Sequence, residues 1–307
     1  MGDQAKTHSL ALIPQRLKNV LGEIESAAIR VGRSVDGVQL LAVSKRVSAG
    51  KIIAAFDSGQ MMFGENYVQE SRDKIPLVKA GDRQGVRFDL IGPLQRNKVK
   101  YAVGLYDVIQ TVDRPELAES IAAMAEKRGL VQRVYIQINV SEEDSKSGVM
   151  PEDAASLFAS IKEYPSLCVE GLMSLGSFYD HDLPVEKIRK EFQAMKQLSE
   201  LIESQYDYQS LELSMGTSQD YQIAVEEGAT IVRLGAARKM LGSTLLGFSK
   251  VLKRRRRLKM ASRYWHEGVK LLQDEIAVDN LFRQRTRSRR VVRKTKSGEE
   301  KTPDSKS

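Results

Sequence analysis

Eight short runs rich in β-branched residues alternate with helical patterns between residues 38 and 234, and this predicts an α/β chain closed as a (β/α)8 barrel of the TIM type. An amphipathic pattern before the first run adds an N-terminal helix. A strongly basic stretch after the last run adds a basic C-terminal extension, part helical and part disordered. The expected boundaries are a barrel domain over 1–248, a basic amphipathic helix over 249–282 and a disordered basic tail over 283–307. An open doubly wound sheet is the competing arrangement for such an alternation.

In chain order, Leu10, Ile13, Leu17, Leu21, Ile24, Ala28 and Val31 recur at steps of three and four and predict the first helix, stopped by Gly32. The strand runs are VQLLAV (38–43), MMFG (61–64), VRFDLI (86–91), LYDVIQ (105–110), RVYIQINV (133–140), CVEGLM (168–173), SLELSM (210–215) and TIVRL (230–234). Between them, Asp113 and Glu116 have capping-box spacing, with Pro115 in the first turn. Pro151-Glu152-Asp153 opens another helix with acidic residues at its positive end. Residues 185–204 form a long amphipathic helix. Past residue 248, KVLKRRRRLK (250–259) precedes Leu258, Ala261, Trp265, Val269, Leu272 and Ile276 at helical spacing.

Composition excludes several classes. Of 307 residues, 41% are hydrophobic and 29% charged, which is globular rather than disordered usage. No stretch reaches the roughly 18 apolar residues of a membrane span, and the N-terminus lacks a secretory pattern, so the expected location is the cytoplasm. Cys168 is the only cysteine and the three histidines (8, 181, 266) are scattered, so neither a disulfide nor a metal site is expected. Neither a P-loop nor a GxGxxG turn is present. The net charge of +8 is uneven: residues 250–307 hold 19 basic and 7 acidic residues, which leaves the rest of the chain mildly acidic. Such a tail suits an acidic partner: nucleic acid with Tyr264 and Trp265 for stacking, an anionic membrane, or a partner protein helix. A solvated tail without a specific partner fits equally.

In such a barrel the chemistry sits where the strands end. Lys45 closes the first run, and desolvation there would make its amine a nucleophile for carbonyl groups. The alternative is a lysine snorkelling to solvent. Ser214, Met215, Gly216, Thr217 and Ser218 follow the seventh run, and Gly235-Ala236 the eighth. Loops after these two strands often hold phosphate. Ser218 reads equally well as the cap of the next helix, and Gly216 and Gly235 as turn glycines. Arg233 lies within an apolar run and requires an acceptor or a carboxylate. Asn66 and the polar SEEDSKSG segment (141–148) follow the second and fifth runs.

The motifs LLAVSK (40–45), FGENYVQE (63–70), IGPLQRNK (91–98), INVSEEDSKSG (138–148), GLMS (171–174), LSMGTSQDYQIAVEEGAT (213–230) and IVRLG (231–235) occur in order. Over residues 10–236 the chain resembles the pyridoxal-phosphate homeostasis proteins, single-domain relatives of alanine racemase. The resemblance implies that Lys45 carries pyridoxal 5′-phosphate (PLP) as a Schiff base. It also implies that the loop Ser214, Met215, Gly216, Thr217 and the Gly235 and Ala236 amides hold the phosphate, that Arg233 faces the pyridine nitrogen, and that Asn66 lines the pocket. The implied role is to carry or buffer PLP in vitamin B6 and amino-acid balance, without established catalysis, with PLP-dependent apo-enzymes as recipients. The alternatives are a racemase-like PLP enzyme and an adaptor working through the basic tail. The chain departs from the family at Asp89, usually histidine, at Thr217, usually methionine, and at ARKMLG (237–242), usually AIFG. Residues 249–307 have no counterpart in the family.

Overall fold

Eight parallel strands close in chain order, β1 to β8, in the computed structural model, which describes residues 11–81, 83, 85–141, 147–175, 184–208 and 210–235. The strands are β1 (Gln39–Val43), β2 (Met62–Glu65), β3 (Arg87–Leu90), β4 (Val108–Val112), β5 (Gln132–Ile138), β6 (Leu167–Ser174), β7 (Glu212–Ser214) and β8 (Ile231–Gly235). Each lies on a predicted run. The expected tail elements over 249–282 and 283–307 lie outside the described residues. Among those described, no helix is long and apolar enough to cross a membrane.

The helices between the strands are α2 (Ala49–Asp57), α3 (Val68–Lys79), a one-turn α4 (Val99–Ala102), α5 (Pro115–Lys127), α6 (Ala154–Lys162), α7 (Val185–Tyr206) and α8 (Tyr221–Glu226). The N-terminal helix α1 (Ile13–Arg30) buries Ile13, Leu17, Val20, Ile24, Ala27 and Ala28. Two expected positions are corrected: Leu21 and Val31 are exposed. At 3.6 residues per turn the seam steps through Val20 instead, and Leu21 falls beside it on the rim. The capping box is also corrected. Arg114, not Asp113, precedes α5, and the Asp113 carboxylate accepts from the Arg114 guanidinium at 2.5 Å. Pro115 does occupy the first turn.

Strand pleating sorts side chains into two layers. Leu40, Ala42, Phe63, Phe88, Leu90, Ile109, Val134, Ile136, Val232 and Leu234 join the helices in the large outer core. Leu41, Met62, Val108, Tyr135, Met173 and Ile231 form a separate, smaller cluster within the barrel. Register puts Arg233 beside Leu41 and Gly235 beside Val43, so β8 delivers its arginine to the interior. By the same alternation Arg87 and Asp89 face inward on β3. The barrel interior therefore carries ionic groups where branched apolar residues are usual.

A charged clamp ties α1 and α7 to the end of α8. Arg30 and Arg189 both contact Glu226 at 2.8 Å, and Arg189 also pairs with Glu227. Burial raises the Glu226 carboxyl, but the hydrogen bonds from Arg189 and Arg30 outweigh it and hold the group below its ordinary value. A carboxyl depressed on folding contributes stability above its unfolded value, about 4.3, and loses it as pH falls through the folded value. Glu226→Gln is expected to cost roughly 0.5–1 kcal/mol at neutral pH, vanishing under acid, by denaturant unfolding against pH.

Candidate functional site

All the strands point the same way, so their C-terminal ends gather at one mouth. Lys45 stands two residues past Val43, whose register partners are Gly64 and Gly235. Lys45 is exposed, and its ammonium meets no acceptor among the described residues. β1 ends at Val43, and residues 45 and 46 beyond it are both exposed. The turn is held from beneath. The Arg46 amide donates to Glu70 Oε1 at 2.7 Å, and Lys74 Nζ donates to the Ser44 carbonyl at 3.0 Å. Arg46 itself sits at φ 61°, a left-handed conformation uncommon for a side-chain-bearing residue.

Arg233 is buried and its donors are committed. Nη1 donates to the Ser214 carbonyl at 2.5 Å and to Ser214 Oγ at 2.7 Å, and Nη2 to the Ser174 carbonyl at 2.5 Å. Burial lowers its pKa to about 10, with the Asp220 carboxylate opposing. It stays a cation at neutral pH. The need for acceptors read from the sequence is thus met by β6 and β7 rather than by a carboxylate in contact. Among the described residues, Ser174 Oγ, fully buried at the end of β6, has no partner, and neither does the buried Asn66 Oδ1 after β2.

The loop after β7 is shaped by glycine. Gly216 has φ 88°, and a Cβ there would lie 2.5 Å from the Ala224 Cβ on α8. Gly216→Ala is expected to lose more than about 1 kcal/mol of unfolding free energy, measured in urea, and to weaken any ligand held by the loop. Gly92 meets a different constraint: a Cβ would lie 2.3 Å from the Asn66 carbonyl oxygen, so Gly92 lets β3's exit pass close under Asn66.

Two expected donors are engaged within the chain. The Thr217 amide donates to Asp220 Oδ1 at 2.5 Å, and the Gly235 amide to Ser218 Oγ at 3.0 Å. Ser218 is therefore not the cap of α8; Asp220 precedes that helix, and Ser218 ties the β7 loop to β8. Among the described residues the Gly216 and Ser218 amides meet no acceptor. The Met215 amide is spent on the Ile231 carbonyl, at 3.1 Å. Ala236, ARKMLG and most of SEEDSKSG lie outside the described residues.

The sequence reading missed Ser174, Gln110, Asp220 and Lys74 as parts of the site. Ser174 and Gln110 were visible only as polar residues closing apolar runs, and Lys74 and Asp220 only as charged residues in polar stretches. At the opposite, N-terminal end of the barrel an open cleft of about 820 Å³ is lined by Arg83, Arg87, Asp107 and Arg133, far along the strands from Lys45.

The mouth combines a lysine, a buried donor-only guanidinium, two unused amides and two orphaned polar oxygens. Such a set suits a ligand with an electrophilic carbon, a hydrogen-bond acceptor and an anionic group. Comparison with known proteins points the same way. The family model for the alanine racemase N-terminal domain matches residues 21–241. The pyridoxal phosphate homeostasis protein of Aquifex aeolicus (strain VF5) is 38% identical over 221 residues, covering 72% of this chain and 94% of that protein. Its counterpart in Escherichia coli (strain K12) is 36% identical over 228 residues, covering 73% and 94%. Among solved structures, PipY of Synechococcus elongatus PCC7942 with PLP bound superposes with a TM-score of 0.62 at 30% identity, covering 75% of this chain and 100% of that one. Alanine racemase from Corynebacterium glutamicum shares the fold at 14% identity and a TM-score of 0.56, covering 75% of this chain and 60% of that one. The chain belongs to the pyridoxal phosphate homeostasis protein family, built on the alanine racemase N-terminal domain.

Proposed function

We propose that this protein binds PLP at the barrel mouth through Lys45 and carries or buffers it for PLP-dependent apo-enzymes. The observation that carries the reading is the cluster around Arg233: a buried guanidinium, the orphaned Ser174 Oγ on the same carbonyl's residue, and the unused Gly216 and Ser218 amides one strand away. Bound there, PLP would supply an aldehyde that condenses reversibly with an amine, releasing water. Every other part belongs to the chain. The Lys45 amine is the nucleophile, kept at the rim by Glu70 and Lys74 through the turn below it. The Gly216 and Ser218 amides, beside Ser214, Met215 and Thr217, form the anion cradle, and Gly235 and Ala236 flank it. Arg233 offers hydrogens only, so the atom facing it must be an acceptor; this keeps a pyridine nitrogen unprotonated and weakens the ring as an electron sink. That favours holding the aldehyde over carbanion chemistry. Asn66 Oδ1, buried and without a partner among the described residues, would accept from a ring hydroxyl.

The proposal includes the domain division at 248/249 and 282/283, with the basic extension as a separate region that meets an acidic partner. It is tested by loading the full-length protein with PLP, removing free cofactor and adding a PLP-requiring apo-enzyme. Activation of that enzyme, without deuterium exchange at the α-carbon of added amino acids by the loaded protein alone, is the expected result. Rapid α-carbon exchange would instead make the protein a racemase-like enzyme, and no retained cofactor would remove the reading altogether.

A further inference from the structure

A chain of polar side chains crosses the barrel interior from β3 to β8. Arg87 Nε and Nη2 donate to the two Asp89 carboxylate oxygens at 2.8 and 3.0 Å. Gln110 Nε2 donates to Asp89 Oδ2 at 2.6 Å. Ser214 Oγ donates to Gln110 Oε1 at 2.7 Å, and Arg233 Nη1 donates to Ser214 Oγ at 2.7 Å. Asp89, Gln110, Ser214 and Arg233 are all at least 97% buried, so water does not compete for these bonds.

The direction of every bond follows from the two ends. Burial raises the Asp89 carboxyl, but three donors reach it, two of them from the Arg87 guanidinium gripping both oxygens, and this geometry favours the carboxylate form. A carboxylate accepts only, so the Gln110 amide must turn Nε2 toward it and Oε1 away. Gln110 Oε1 also accepts only, so the Ser214 hydroxyl must point its hydrogen at Gln110. Its lone pairs are then left for Arg233, a group that only donates. The Ser214 carbonyl and hydroxyl together use both Nη1 hydrogens, and the Ser174 carbonyl uses one on Nη2. The second Nη2 hydrogen and the Nε hydrogen are what remain for a ligand. Without Gln110 the Ser214 hydroxyl is free to rotate its hydrogen toward the guanidinium, and the Nη1 edge loses its anchor.

We infer that Gln110, oriented by Asp89, is a positioning residue for Arg233: through the Ser214 hydroxyl it sets which guanidinium edge faces the ligand at the barrel mouth. The inference deepens the PLP reading and rests on it for the ligand's identity.

The test uses the full-length protein with 15N-labelled arginine, the Arg233 guanidinium signals being assigned by their loss in Arg233→Lys. In Gln110→Met, which keeps length and both charges, the Nη1 hydrogens are expected to exchange with solvent about tenfold faster. The Nη2 hydrogen on the Ser174 carbonyl, which the chain does not reach, is expected to change less than about twofold. Ser214→Thr keeps the hydroxyl and is expected to behave like the parent, whereas Ser214→Ala matches Gln110→Met. In PLP titrations followed by absorbance, Gln110→Met is expected to weaken binding about fivefold in the parent but under about twofold in the Arg233→Lys background. Equal acceleration at Nη1 and Nη2 means general loosening and overturns the inference. So does unchanged exchange at Nη1, or an equal loss of PLP affinity in both backgrounds. If the parent itself takes up no PLP, the functional reading falls and takes the ligand part of the inference with it; the exchange pattern still decides whether Gln110 positions Arg233.

Discussion

If the proposed Schiff base forms, the protein turns yellow with PLP, and Lys45→Ala is expected to abolish that colour together with the borohydride-trapped label on the peptide containing residue 45. Lys45→Arg is expected to do the same, since a guanidinium stays protonated and does not attack the aldehyde. The reasoning depends on where the structure puts this lysine. It is exposed, so burial does not set it apart from the other exposed lysines of the chain. On the proposed reading, selectivity for Lys45 comes from proximity: Arg233, the Gly216 and Ser218 amides and the Asn66 oxygen would hold the ligand beside it and supply an effective concentration. The variant should therefore retain weaker, non-covalent binding while losing the covalent mark. A label of undiminished stoichiometry in Lys45→Ala, or one scattered over the lysines of residues 250–307 in the parent, would sink the assignment.

Lys74→Met is expected to cost about 3–5 kcal/mol of stability at neutral pH. Lys74 is almost fully buried and contacts the carboxylates of Glu65 at 2.8 Å and Glu70 at 2.6 Å, besides the Ser44 carbonyl. Glu65 is fully buried, with Ser44 Oγ on Oε1 at 2.5 Å and, among the described residues, no partner on Oε2, so removing the ammonium strands a charge. Burial already raises the Glu65 carboxyl, and the Lys74 and Ser44 hydrogen bonds restrain the rise. Without Lys74 the carboxyl rises further. A carboxyl raised on folding adds stability below its unfolded value and loses it as pH climbs through the folded one. The deficit relative to the parent is thus largest at neutral pH and shrinks as pH falls toward about 4.3. Glu65→Gln added to Lys74→Met should recover part of the loss. A deficit under about 1 kcal/mol, or one flat across that pH range, would contradict the buried-pair account. Because Glu70 also holds the Arg46 amide, the variant should label Lys45 more slowly even where it remains folded.

The spacing of β-branched runs was enough to place all eight strands, because strand propensity and its boundaries are local properties. The gathering of Lys45, Asn66, Ser214 and Arg233 at one mouth followed as well, since parallel strands joined by helices all end on the same face. Even the Arg87–Asp89 pair was within reach of the sequence, as residues two apart on a strand share a face. What the sequence did not contain is who meets whom across the barrel. Ser214 bonds Gln110 from 104 positions away, and that contact depends on the three strand registers that lead from β4 to β7. The same holds for Lys74 reaching back 30 positions to the Ser44 carbonyl and for Ser218 taking the Gly235 amide. The exposure of Lys45 belongs here too: a residue at the end of an apolar strand is buried or not according to how the chain turns next, and the turn is set by Glu70 and Lys74 on α3. Local pattern determined the barrel and the list of residues at its mouth; tertiary packing alone decided which of their donors and acceptors are already used and which are left for a ligand, because hydrogen-bond satisfaction of buried groups is a property of neighbours in space and not in sequence.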